Sequence, residues 1–136
     1  MHDELITVIR LLLAGFLGGL IGFQRETAGK AAGIRTLALI AIGASLFTSL
    51  SQFGFNVTNT QLAANVVVGV GFLGAGTIIH REQGIIEGMT TAATIWVAAA
   101  IGVASGTGHY LTALAATIVI LVVLFLPHIH RIQGGS

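Results

Sequence analysis

Polar side chains in this sequence are few and gather at a small number of places. Arg25-Glu26 and Arg81-Glu82 each close an apolar run, and Lys30, Arg35 and Glu87 share the same two links. A cation near a helix C-terminus complements the helix dipole, and a Glu beside one Arg could pair with the Arg of the other link. Two readings follow: interfacial anchoring with structural ion pairs, or a polar vestibule on one side of a membrane. Thr77, Thr90, Thr91 and Thr94 flank the second link. A threonine hydroxyl can bond the carbonyl of its preceding turn, which reduces the cost of burying it. Asn65 is the polar residue near the other end of its run, and Arg10 stands inside the first run. Arg10 is expected to snorkel outward, in preference to lining a pore. Trp96 lies mid-run rather than at an interface, so it is expected to pack inside with its indole N–H bonded.

Glycine supplies the second pattern. Gly15 and Gly19 are four apart, as are Gly18 and Gly22, a spacing that lets two membrane helices approach closely. Gly69, Gly71, Gly74 and Gly76 crowd one short stretch without sharing a helix face. Tight packing on several sides is the favoured reading. The other is a local unwinding whose backbone could bind an ion near Gly74–Thr77. Gly69-x-Gly71-x-x-Gly74 also fits a dinucleotide fingerprint, but that motif needs a soluble βαβ unit around it. The histidines are scattered, there is no cysteine, and no acid–base pair lies within the apolar runs. Neither an enzyme, nor a metal site, nor a cofactor is expected.

The elements that carry these residues are apolar. Of 136 residues 54% are hydrophobic and 8% charged, with a mean hydropathy of +0.94. A soluble domain needs roughly 25% charged residues to cover itself, so lipid must solvate most of this chain. A cytosolic enzyme, a disordered chain and a nucleic-acid binder are excluded. A spanning helix takes about 20 apolar residues, and five runs approach that length: Leu5–Phe23, Thr36–Phe53, Leu62–Ile79, Met89–Ala104 and Tyr110–Leu126. The fourth is short and could be a tight interior helix or a re-entrant segment. Alternating strand patterns are not seen, so the fold class is all-α and integral to the membrane.

Arg25, Lys30, Arg35, Arg81 and Arg131 all fall in alternate links or the tail, and the other links hold no Lys or Arg. Positive charge marks the cytoplasmic side, which places the N-terminus outside and the C-terminus inside. A repeat is also visible: GFLGGLIGFQRE at Gly15–Glu26 and GFLGAGTIIHRE at Gly71–Glu82 match at six of twelve positions. Gly33, Thr36, Ala38, Ile40 and Ala44 fall on Gly88, Thr91, Ala93, Ile95 and Ala99. The expected architecture is a tandem, parallel repeat of helix–loop–helix units, about 5–53 and 62–104. A fifth helix at 110–126 completes a transmembrane domain of residues 1–133. Gly134-Gly135-Ser136 reads as an artificial tail.

GLIGFQRE, GIRTLALIAIGASLF, GVGFLGAGTII and EGMTTAATIWVAAAIGVASGTG, covering most of residues 15–108, resemble the transmembrane domain of the MgtC/SapB family, YhiD-type proteins included. The resemblance implies a bacterial inner-membrane protein of about five spans with a cytoplasmic C-terminus. It implies a link to growth at low magnesium, acid tolerance and survival in macrophages. It further implies a part in ATP and membrane-potential homeostasis through partner proteins. Family motif residues fall on Arg25, Glu26, Gly33, Arg35, Thr36, Gly71, Gly74, Gly76, Gly88, Thr91 and Trp96. The chain departs from the family at Thr58-Asn59-Thr60-Gln61, where an Asp-Pro-x-Arg stretch is usual, and at Leu37, Asn65 and Val68. The expected function is a non-enzymatic regulator in the lipid bilayer, a homo-oligomer with a dimer favoured, touching other membrane proteins. The alternative is a small ion channel or transporter with its site at the glycine-rich third run.

Overall fold

Where no water can bond the backbone, helices satisfy it internally, and the apolar runs fold accordingly. The computed structural model describes residues 1–54, 59–80 and 84–127. It contains α1 (His2–Thr27), α2 (Ile34–Phe53), α3 (Asn59–Ala75), α4 (Met89–Gly106) and α5 (Tyr110–Leu124). The all-helical class holds, with one addition that the sequence reading lacked. After α3 ends, β1 (Ile79–His80) pairs antiparallel with β2 (Ile86–Glu87), Ile79 opposite Glu87 and His80 opposite Ile86.

Helices α1, α2 and α4 are long and apolar enough to cross a bilayer, at 26, 20 and 18 residues. Helices α3 and α5 are apolar but shorter, at 17 and 15 residues. The third run therefore stops short of the expected Ile79: the chain turns at Gly76 and Thr77 and enters β1. The fourth run is one continuous helix and the most deeply buried of the three long ones. The lipid-compatible exteriors and the family placed below make this a membrane protein.

Helix α2 is held between two neighbours that carry glycine at the contact. A Cβ on Gly18 of α1 would lie 2.6 Å from the Leu37 carbonyl oxygen, and one on Gly22 would lie 2.5 Å from the Gly33 oxygen. On the α4 side, a Cβ on Gly102 would collide with the Ala41 oxygen, and one on Gly106 with Thr48 Oγ1 and the Ser45 oxygen. Both pairs keep the four-residue spacing that puts small residues on one face. Leu17, Ile21, Leu37, Ile95, Ala98, Ile101 and Ala113 fill the core around these contacts.

The two sequence-matched segments share one contact and then diverge. Gly18 meets α2, and its match Gly74 meets Ala92 of α4 at 3.4 Å from a virtual Cβ. Beyond that point α1 runs on to Thr27, whereas α3 ends at Ala75. Gly69 and Gly71 have nothing within 4 Å of a virtual Cβ, so the space where a side chain would stand is open at both. The glycine-rich stretch stays helical through Ala75, and its unwinding is confined to the turn that follows.

Gly22→Ala and Gly106→Ala should each cost about 1–3 kcal/mol through overpacking against backbone. Gly69→Ala and Gly71→Ala should be neutral or stabilising by up to about 1 kcal/mol from helix propensity. Thermal unfolding of the four variants in maltoside micelles checks this; equal losses at all four sites would contradict it.

Candidate functional site

Polar groups inside the bundle collect at its two ends, each around one arginine of α1. At one end Arg25, in the last turn of α1, is only 4% exposed. Its Nε donates to the Ala31 carbonyl at 3.1 Å and its Nη2 to Thr91 Oγ1 at 2.5 Å. One guanidinium therefore fixes the α1–α2 loop and ties it to the first turn of α4. The neighbouring Glu26 is exposed and its Oε1 accepts from the Ile34 N–H at 2.9 Å. An anion at the start of α2 satisfies an orphan donor and complements the dipole. Glycine at 33 lets Glu26 lie close, since a Cβ there would press on the Glu26 side chain and displace it. Glu26 thus acts as a helix cap supplied by the preceding helix.

Gly88, the N-cap of α4, adopts φ +91, and a Cβ on it would run into the Thr77 oxygen. The turn after α3 and the start of α4 meet at that point. Thr77 Oγ1 donates to the Gly74 carbonyl at 2.7 Å and Thr94 Oγ1 to the Thr90 carbonyl at 2.7 Å, so both bond within their own segment. Thr90 and Glu87 are exposed, as are Arg35 and Thr36, whose side chains make no hydrogen bond among the described residues. Asn65 is exposed and lines an apolar groove of about 500 Å³ between α2 and α3, with Gly43 and Gly69 also on its wall. Gly71, Gly74 and Trp96 border a smaller hollow of about 300 Å³ between α3 and α4, and Gly76 follows in the turn. Arg81 and Glu82 lie outside the described residues.

Two expectations need correction. Trp96 is 52% exposed and its indole makes no hydrogen bond among the described residues, so it faces outward from α4. Ala98 and Ala99 take the buried positions, because the close approach of α4 to α2 leaves room for alanine and not for indole. Arg10 does not snorkel; it is 6% exposed. Its Nε donates to Tyr110 Oη at 2.9 Å, and its Nη1 to Gln52 Oε1 at 2.6 Å and to the Gly106 carbonyl at 3.0 Å. The guanidinium also lies 4.9 Å from the Phe53 ring centroid and 5.8 Å from that of Tyr110. One side chain of α1 thus reaches the last turns of α2 and α4 and the first residue of α5.

The residues around Arg10 escaped the sequence reading. Ser49 Oγ also donates to the Gly106 carbonyl, at 3.1 Å. Ser45, Ser51 and Ser105 are buried with hydroxyls that have no hydrogen-bond partner among the described residues. Spacing offered a signal, since Ser45, Ser49 and Gln52 recur along one face of α2 and Gly102 and Gly106 along one face of α4. Thr91→Val, which strips the Arg25 acceptor, should cost about 1–3 kcal/mol, the penalty for leaving a buried donor unpaired. Trp96→Leu, at an exposed site, should stay within about 0.5 kcal/mol. Unfolding midpoints of the two variants should separate accordingly.

No solved structure matches this chain. Among proteins of known sequence it is 44% identical over 130 residues to "Putative magnesium transporter YhiD" of Escherichia coli K12, which covers 89% of this chain and 60% of that protein. It is 46% identical over 114 residues to "Protein MgtC" of Salmonella typhimurium LT2, covering 84% of this chain and 49% of that one. An uncharacterized Haemophilus influenzae protein is 42% identical over 140 residues, covering 95% of this chain and 59% of its own length. The chain therefore spans about half to three-fifths of the length of these relatives. The model of the MgtC family matches residues 11–132. With that match and this level of identity, the chain belongs to the MgtC family.

Proposed function

We propose that the chain is the membrane-embedded part of a non-enzymatic regulator in magnesium-related homeostasis and adaptation to low magnesium or acid stress. It acts in the bacterial inner membrane, N-terminus outside and C-terminus in the cytoplasm, through contacts with membrane proteins that include a second copy of itself. The names carried by its YhiD and MgtC relatives support the link to magnesium.

One observation favours regulation over transport of the cation. Among the described residues the only buried charges are Arg10 and Arg25, and both are positive. Magnesium ions need oxygen ligands, commonly one or two carboxylates with retained water. No three His, Asp or Glu side chains gather among the described residues, and the threonines near the glycine-rich turn bond their own segments. The open wall of the α2–α3 groove, where Gly43 and Gly69 have nothing within 4 Å, suits an approaching helix.

The test has two parts. Reconstituted proteoliposomes should take up Mg²⁺, K⁺, H⁺ and phosphate no faster than empty liposomes. A photo-crosslinker placed at Asn65 in cells should capture a second copy or another membrane protein, and Gly69→Leu should suppress the capture. Magnesium uptake that Arg25→Gln or Thr91→Val abolishes would replace the regulator with a transporter.

A further inference from the structure

The Arg10 end of the bundle carries a positive charge that pairs with no acidic side chain among the described residues. Every partner of the guanidinium is neutral: a phenol, a side-chain amide, a backbone carbonyl and two aromatic rings. The chain has five acidic residues; Glu26 and Glu87 lie at the opposite end of the bundle, and Glu82 is outside the described residues. Asp3 and Glu4 are exposed in the first turn of α1. Along α1 Glu4 is about 9 Å from Arg10 on another face, and Asp3 is about 10.5 Å away on the same face; neither hydrogen-bonds the guanidinium. Residues 55–58, outside the described residues, are Phe-Asn-Val-Thr and carry no acid. A buried charge without a counter-charge is costly, so an anion arriving at Arg10 would lower that cost.

The geometry leaves a place for it. Guanidinium has five N–H donors; Nε and Nη1 are fully used, whereas Nη2 donates to nothing among the described residues and is not enclosed. Nη2 faces Gly108, which has φ +86 and where a Cβ would lie 2.8 Å from that nitrogen. Glycine at this position keeps the approach to Nη2 open. Beside it is the N-terminus of α5, whose N-cap His109 supplies no side-chain cap and whose first residue, Tyr110, holds Arg10. The N–H groups of that first turn have no acceptor within the helix. Free guanidinium donors next to free helix N-terminal donors form the arrangement that receives a tetrahedral oxyanion.

We infer that Arg10, Gly108 and the start of α5 form a binding site for a phosphate-type oxyanion, supplied by a lipid headgroup or by free phosphate. The last turns of α2 and α4 and the first turn of α5 all meet Arg10, while α1 continues past them by two turns. The site therefore sits where the other helices end.

The test is guanidinium ¹⁵N NMR of the chain in maltoside micelles, which contain no phosphate. Separate titrations use inorganic phosphate, short-chain phosphatidylglycerol and chloride. The Arg10 signal, assigned through Arg10→Lys, should shift and saturate with at least one phosphate source and not with chloride. Saturation by the lipid alone identifies a headgroup site; saturation by inorganic phosphate alone identifies a soluble-anion site. Gly108→Ala, which keeps the charge and blocks Nη2, should weaken binding at least about tenfold, a loss of about 1.4 kcal/mol. No shift with either source, or an equal shift of the exposed Arg35 signal, overturns the site, and the wild-type titration gives that answer whether or not the variant folds.

Discussion

Helix α2 is approached from two sides at backbone distance, and the remaining architecture depends on that approach. Lipid tails are as apolar as the side chains they meet, so no hydrophobic drive brings membrane helices together; close van der Waals packing must do it. Gly18 and Gly22 of α1 and Gly102 and Gly106 of α4 supply the closeness. Gly106 has a second part in the structure. Its Cα lies against α2, and its carbonyl accepts from both Arg10 and Ser49. The packing contact and the polar cluster thus share a residue, and widening the first would pull apart the second.

The two arginines of α1 then act as fasteners at opposite ends of a glycine-packed bundle. Arg25 binds the α1–α2 loop to α4, and Arg10 binds the far ends of α2, α4 and α5. Both use neutral acceptors, which lets a charge be buried in a protein that has few acids to spare. Donors remain over at both ends among the described residues, on Nη2 of Arg10 and on Nη1 of Arg25; at the Arg10 end they lie beside a helix N-terminus.

Much of this was legible in the residues. Apolar run length located five helices, and the four-residue glycine spacing in α1 pointed to a close contact that exists. Arg25 and Thr91 were singled out and do meet, although spacing could not show that they touch each other. Arg10 was misread because snorkelling is the usual fate of a long cation near a helix end. Its real partners are 42, 96 and 100 residues away, beyond any local pattern. Trp96 was misread for a related reason: a mid-helix position gives depth along the axis, not the direction of the face. The glycines of α3 read as packed because glycine in a membrane helix usually is; Gly74 does meet Ala92, while Gly69 and Gly71 leave open space where a side chain would stand.

Helix α5 also fixes a dimension. It runs antiparallel to α1 and is pinned at both ends, by Arg10 on Tyr110 Oη and by Gln24 Nε2 on the Leu124 carbonyl at 3.4 Å. From Arg10 to Gln24 the rise is about 21 Å, against roughly 30 Å for the hydrocarbon core of a typical bilayer. The lipid-facing side of α1 keeps apolar residues from Leu5 to Phe23, a belt of about 27 Å. Helix α5 thus offers a shorter apolar wall than the outer face of α1, and a wall shorter than the local hydrocarbon thickness is met by thinning of the bilayer at a modest cost per ångström.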